Sequence, residues 1–195
     1  MKHTSSLAVR RFTTRDGAFN ATPARIVFGS GTSRTVRDEV AHLGCKRALV
    51  VSTPGRKTMA KQVAHTLSDL AVGVLPEAVS QVPVELARRG RVAALETGAD
   101  CIVAIGGGAS VGLAKGISLE LALPIVNIPT TYSGSEMTAF CGMTIDGVKI
   151  MHESRNMLAH TVIYDPELSM GLSRENSAAS ALNALAHCIL SLIHI

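Results

Sequence analysis

An apolar strand that continues directly into a glycine-rich turn constrains the fold of this chain more than any other feature. Cys101-Ile-Val-Ala-Ile105 is apolar at every position, and Gly106-Gly-Gly-Ala-Ser110 follows it without a break. A strand with no polar face is typical of the centre of a parallel sheet that is covered on both sides by helices. The turn then predicts a helix that runs to about residue 121.

Short apolar runs and helical patterns alternate along the rest of the chain. Helices are expected where apolar residues recur every three or four positions, in the stretches 36–43, 59–70 and 83–97. Strands are expected in the apolar runs 24–28, 47–52, 72–75, 124–128 and 161–164. This order predicts an α/β fold, a doubly wound parallel sheet. Asp146-Gly147 predicts the turn of a separate β-hairpin.

The chain divides into three predicted segments. Residues 1–22 are basic and lack an apolar core, so a disordered or extended start is expected. Residues 23–172 hold the α/β pattern. Residues 173–195 predict a helix with an uncharged end. Serine, asparagine and histidine interrupt its apolar run, which favours burial against further protein over a membrane span.

Composition excludes several classes of protein. The chain is 47% hydrophobic and 17% charged, which is too apolar for a disordered protein. Its formal net charge of +4 comes from scattered basic residues, so no nucleic-acid partner is expected. The four cysteines show no metal-binding spacing, and Cys101 is interpreted as a small buried hydrophobe. A reducing, cytoplasmic location without membrane association is therefore expected.

The glycine-rich turn is the strongest candidate site. Glycines at the start of a helix let backbone N–H groups approach a phosphate, and the helix dipole favours the anion there. The spacing differs from GxGxxG, so the turn is not a standard dinucleotide-binding fingerprint. The alternative is that Gly106, Gly107 and Gly108 only permit a tight turn.

Two further motifs carry polar groups that could do chemistry. Pro129-Thr-Thr-Tyr-Ser-Gly-Ser-Glu136 follows the neighbouring strand, and its hydroxyls could bind a nucleotide or a carboxylate, or could only satisfy their own turn. Asn183 and His187 are four residues apart and share one helix face. An amide oxygen serves a divalent metal less well than a carboxylate does, and a histidine on such a helix is more often a packed residue.

Four motifs in this order resemble the iron-containing alcohol dehydrogenase superfamily, and within it the maleylacetate reductases. The motifs are Gly106-Gly-Gly with Gly112-Leu-Ala-Lys115, Pro129 to Glu136, Val162-Ile-Tyr-Asp-Pro-Glu-Leu168 and Asn183-Ala-Leu-Ala-His-Cys188. The resemblance extends from about residue 23 to Cys188. The last seven residues no longer match, and a truncated end is expected.

The resemblance implies a dehydroquinate synthase-like domain that binds NADH or NADPH, followed by the start of an all-helical domain, with the active site between them. It implies a pyrophosphate site at Gly106, Gly107, Gly108 and Ser110, and nucleotide contacts from Thr130 and Thr131. Thr53 and Pro54 would lie near the adenosine ribose, where an acid would favour NADH. The implied catalytic hydrogen-bond donors are Tyr132, Asn183 and His187. A homodimer is expected for the full-length protein.

The expected function is the NAD(P)H-dependent reduction of maleylacetate, a small molecule, to 3-oxoadipate in the breakdown of aromatic compounds. Metal-dependent members of the superfamily carry aspartate where this chain has Asn183, so the resemblance implies that no metal is needed. Two alternatives stay open. One is a metal-dependent alcohol or polyol dehydrogenase, and the other is an inactive fragment that only binds a nucleotide.

Overall fold

Six strands form one parallel sheet in the computed structural model, which describes residues 24–193 except for the side chains of 187–188 and 190–193. The predicted N-terminal segment, 1–22, lies outside the described residues. The sheet order is β1-β8-β5-β4-β2-β3, and β6 and β7 form a separate antiparallel hairpin. The strands are β1 (Arg25–Phe28), β2 (Ala48–Val51), β3 (Ala71–Leu75), β4 (Cys101–Gly106), β5 (Ile125–Pro129), β6 (Phe140–Ile145), β7 (Val148–Glu153) and β8 (Thr161–Tyr164).

Five α-helices accompany the strands. They are α1 (Val36–His42), α2 (Lys57–Leu67), α3 (Val84–Glu96), α4 (Gly108–Leu121) and α5 (Arg174–Ile193). None of these described helices is both long enough and apolar enough to cross a membrane. The assignment of α5 to a second, all-helical domain stays a prediction.

Alternate residues of the central strands point to opposite layers of helices. In β2, Val50 packs with the buried residues of α1 and α2, whereas Leu49 packs with those of α3 and α4. All six residues of β4 are buried. These contacts confirm the predicted doubly wound α/β fold, because burial on both faces is what a continuous apolar strand requires.

One helix end differs clearly from the periodic pattern. α1 begins at Val36, as the pattern predicts, and a 3-10 turn at Thr32–Thr35 precedes it. The apolar stripe of α2 was expected to include Leu70, but α2 ends at Leu67. Ser68 has a positive φ of 55°, which turns the chain out of the helix. Leu70 therefore packs against the core from a turn.

The chain reverses its direction across the sheet beside β4. It passes from β2 outward to β3 and then returns to the other side of β2 as β4. Open α/β sheets bind ligands at such a switch point, in the crevice outside the carboxyl ends of the strands. The fold therefore directs attention to the segments that follow β2, β4 and β5.

A buried carboxylate joins the ends of β1 and β8. Asp165 accepts hydrogen bonds from the backbone N–H groups of Gly31 and Ser33, each at 3.0 Å, and from that of Glu167 at 3.2 Å. Burial acts to raise the pKa of Asp165, but the hydrogen bonds, first from Ser33 and then from Gly31 and Glu167, outweigh it and lower the pKa. The ionised carboxylate is therefore the form that holds the two strand ends together.

We expect Asp165→Asn to lower the free energy of unfolding at about pH 7 by about 1–3 kcal/mol, because the amide nitrogen cannot accept a backbone N–H. A carboxyl with a lowered folded-state pKa stabilises the fold above its unfolded pKa and loses that contribution as the pH falls through the folded value. Urea unfolding should therefore show that the difference in the free energy of unfolding between Asp165→Asn and the unmodified protein becomes smaller in acid. Asp146→Asn, in the exposed hairpin turn, is the control, and a pH-independent difference for Asp165→Asn would contradict this account.

Candidate nucleotide-binding site

The turn between β4 and α4 depends on two glycines. Gly106 has a φ of +140°, and a Cβ atom there would collide with Ser110 Oγ. A Cβ on Gly107 would lie 2.9 Å from Thr131 Oγ1. Gly107 caps α4, whose first N–H groups have no partner within the helix. The chain therefore presents bare backbone donors at the end of a central strand.

The second predicted turn lies directly against the first. Gly106 pairs with Pro129 in the sheet. The N–H of the next residue, Thr130, donates to the carbonyl of Gly106 at 2.9 Å. The hydroxyls of Ser110 and Thr130 are buried, and neither has a hydrogen-bond partner among the residues that the structure describes. An unsatisfied buried hydroxyl costs about 1–3 kcal/mol. Two such groups beside open backbone donors indicate a site for a polar ligand.

The structure places the predicted ribose-binding residues at the next strand along the same edge. Thr53 and Pro54 follow β2, which pairs with β4 through Val51 and Ala104. Thr53 is half-buried and Pro54 is exposed. The three segments that were proposed from sequence to hold the cofactor thus share the carboxyl edge at the switch point. Their individual contacts with a nucleotide stay predictions.

The candidate catalytic residues lie where the second turn meets α5. The backbone N–H of Tyr132 donates to Ser180 Oγ of α5 at 2.9 Å. Tyr132 is 41% exposed, and Asn183 lies on an exposed part of α5 one turn beyond Ser180. The side chain of His187 lies outside the described residues. The catalytic roles of Tyr132, Asn183 and His187 stay predictions.

Two cavities meet at Tyr132. The larger, of about 760 Å³, extends from Gly108 and Lys115 to the hairpin residues Cys141 and Lys149. The smaller, of about 430 Å³, lies over the ends of β5 and β8. Tyr132, Gly134 and Ala184 line both. The larger cavity falls within the range of pockets that hold small ligands and cofactors.

The buried side chain of Lys115 supports the lining of the larger cavity, and the sequence did not predict this role. Lys115 Nζ donates to the carbonyls of Ser135 and Phe140, at 2.5 and 2.8 Å, and to Thr138 Oγ1 at 2.8 Å. Burial lowers its pKa to about 8, opposed by the charges of Cys141 and Glu136. The sequence signal that could have identified it is a lysine in the otherwise uncharged stretch 108–119 of α4.

A buried carboxylate anchors the second turn from its other side. Glu136 accepts hydrogen bonds from Tyr164 Oη at 3.0 Å and from Ser133 Oγ at 3.1 Å. Burial, followed by the charge of Glu136, raises the pKa of Tyr164, so the phenol stays protonated and donates. The C-terminal end of the turn that carries Thr130, Thr131 and Tyr132 is thus held by side chains of α4 and β8.

The fold and the paired turns define an α/β nucleotide-binding domain. Residues 23–166 match the family described as iron-containing alcohol dehydrogenase, and the chain belongs to this family. The family membership predicted from the four motifs is confirmed.

Maleylacetate reductases are among the similar proteins. The chain is 50% identical over 174 residues to the maleylacetate reductase of Burkholderia cepacia, an alignment that covers 89% of this chain and 49% of the relative. The crystal structures of maleylacetate reductase from Agrobacterium tumefaciens and from Rhizobium sp. strain MTP-10005 superpose with TM-scores of 0.83 and 0.82, at 46% and 47% identity. Each of these two matches covers 85% of this chain and 47% of the solved one. The chain spans about half the length of the relatives it matches.

We expect Lys115→Met to lower the free energy of unfolding by about 1–3 kcal/mol, because it removes the hydrogen bonds that Lys115 Nζ donates to the carbonyls of Ser135 and Phe140 and to Thr138 Oγ1. Hydrogen exchange should report the loss as faster exchange in the segment 135–141. Lys149→Met is the matched control, since that lysine borders the same cavity but is exposed. Equal destabilisation by both substitutions would contradict a specific role for the Lys115 hydrogen bonds.

Proposed function

We propose that this chain binds NADH or NADPH and acts in the reduction of maleylacetate to 3-oxoadipate. The observation that carries the proposal is the pair of adjoining turns with buried, unpartnered hydroxyls, in a chain that is 50% identical to a maleylacetate reductase. Cytoplasmic location and a homodimeric assembly are proposed on the same resemblance.

The cofactor would lie along the carboxyl edge of the sheet. The backbone donors at Gly107 and Gly108, at the positive end of α4, suit a pyrophosphate. Ser110 and Thr130 would supply hydroxyls, and Thr131 borders the same space. The residue after β2 that would meet the adenosine ribose is Thr53, not an acid. With no carboxylate to favour the 2′-hydroxyl, both NADH and NADPH are proposed as cofactors.

The bound nicotinamide would supply a hydride to the carbon–carbon double bond of the substrate, and a proton completes the reduction. That double bond is conjugated with electron-withdrawing groups, so negative charge spreads onto oxygen as the hydride arrives. Hydrogen-bond donors placed at that oxygen stabilise the charge. Tyr132, at the junction of the two cavities, and Asn183 and His187, on α5, are proposed as these donors.

We propose that this reaction proceeds without a metal. Asn183 offers a neutral amide oxygen, which is a weak ligand for a divalent cation. The donor chemistry of this part of α5 therefore fits hydrogen bonding better than metal binding. A metal-dependent alcohol or polyol dehydrogenase is the alternative that the family description favours.

Binding of NADH to the chain can be tested with Gly107→Ala. The added Cβ would lie 2.9 Å from Thr131 Oγ1 and would displace the turn, so we expect the Kd to rise about tenfold, which corresponds to about 1.4 kcal/mol of binding free energy. Titration of NADH fluorescence measures it. Gly171→Ala is the control, because no atom lies within 4 Å of its added Cβ. An unchanged Kd in Gly107→Ala would place the nucleotide elsewhere.

The reaction can be tested in a chimaera in which the C-terminal half of the Burkholderia cepacia reductase follows residue 188 of this chain. We expect NADH oxidation with maleylacetate, unchanged by EDTA. Activity that vanishes on chelation and returns with iron or zinc would contradict the metal-free proposal. Asn183→Asp in the same chimaera is expected to bind metal more tightly, since it adds a charged ligand.

The fragment alternative makes a different prediction in the same pair of proteins. A chain that only binds nucleotide would bind NADH by itself and would leave the chimaera inactive, although the Burkholderia cepacia enzyme remains active in a parallel assay. NADH binding and turnover are therefore measured on both proteins.

A further inference from the structure

Three metal-ligating side chains meet at the edge of the sheet opposite the nucleotide site. Cys101 is the first residue of β4, Asp100 precedes it, and Cys45 follows the turn that ends α1. One ligand atom from each of these side chains lies within 4.8 Å of the other two. The five steps from Cys101 to Gly106 separate this cluster from the glycine-rich turn by roughly 16 Å along β4. The cluster is thus independent of the proposed reaction.

We propose that Cys45, Asp100 and Cys101 form a binding site for a thiophilic divalent cation of the zinc type. Two sulfur ligands and one carboxylate oxygen are a ligand set that suits zinc, with a water molecule as the fourth ligand. Sulfur atoms bound to one tetrahedral zinc lie about 3.8 Å apart, given Zn–S bonds of about 2.3 Å. Ligand atoms already within 4.8 Å of one another need to move by only about 1 Å.

The fold holds the three ligands in place. Asp100 accepts hydrogen bonds from the backbone N–H groups of Lys46 and Arg47, both at 2.8 Å, and its own N–H donates to the carbonyl of Arg47 at 2.9 Å. Each carboxylate oxygen keeps lone pairs for a cation. The N–H of Cys45 donates to the carbonyl of Val40 at 3.2 Å, which fixes its position after α1.

Burial and charge favour a closed site that still admits an ion. Cys45 is 7% exposed and Cys101 is fully buried, whereas Asp100 is half-buried and gives access to solvent. Binding would exchange two thiol protons for one divalent cation, which leaves two thiolates and one carboxylate with a net charge of −1. Lys46 and Arg47 flank the cluster and offset that charge.

A disulfide between Cys45 and Cys101 would use only two of the three groups. The carboxylate of Asp100 would then contribute only its hydrogen bonds to the backbone of Lys46 and Arg47. Cation binding accounts for all three side chains and for the hydrogen bonds that orient the carboxylate. A cation there would join the end of α1 to the start of β4, so it is expected to stabilise the fold.

The test is a titration of the full 195-residue chain with Cd²⁺ in the presence of a phosphine reductant, followed through the ultraviolet cadmium–thiolate absorption band. We expect a band that saturates at one equivalent and that Zn²⁺ reverses. Cys45→Ser and the double variant Cys45→Ser/Cys101→Ser should lose it, whereas the matched control Cys141→Ser should keep it, because Cys141 is a buried cysteine outside the cluster.

A second measurement covers the case in which the fully buried Cys101 tolerates no substitution. Zn²⁺ should raise the Tm of the unmodified chain and of Cys141→Ser, but not that of Cys45→Ser or Asp100→Asn. The proposal is overturned if the unmodified chain shows no cadmium–thiolate band, if the band persists in Cys45→Ser, or if Zn²⁺ raises the Tm of all these variants equally.

Discussion

The burial of β4 on both faces is the constraint on which the rest of the structure depends. Every residue from Cys101 to Gly106 is enclosed, between β2 and β5 within the sheet and between two layers of helices. A slip of one residue would move every side chain of β4 into the opposite helix layer, where its packing neighbours differ. Its two ends are therefore fixed points: the glycine-rich turn at one edge and the Cys45–Asp100–Cys101 cluster at the other.

Two buried charged side chains beside the candidate site, Lys115 and Glu136, are held by hydrogen bonds to uncharged groups. The ammonium of Lys115 contacts two carbonyls and one hydroxyl, and the carboxylate of Glu136 contacts two hydroxyls. An isolated buried charge is costly unless its hydrogen-bonding capacity is filled. These two residues give the segment after β5 a defined shape, which is what a binding site for a polar ligand requires.

Much of the fold could be predicted from the sequence because its local signals agree with one another. The apolar run at β4 and the spacing of Val36 and Val40 in α1 identify a strand and a helix without any knowledge of their partners. The sequence did not predict the end of α2, because Ser68 adopts a positive φ at a position where no glycine marks the turn. The site was predicted only as separate motifs, and the roles of Lys115 and Glu136 depend on partners about 20 or more residues away in the chain.

The sequence by itself determined the α/β class, the position of the glycine-rich turn and the family, because these follow from short-range patterns and from the order of motifs. Only the tertiary structure decided which polar groups meet. Cys45 and Cys101 are 56 positions apart in the sequence and become neighbours because β4 lies beside β2. Thr130 reaches Gly106 for the same reason, since β5 pairs with β4. Such contacts arise from strand order in the sheet, which local chemistry does not encode.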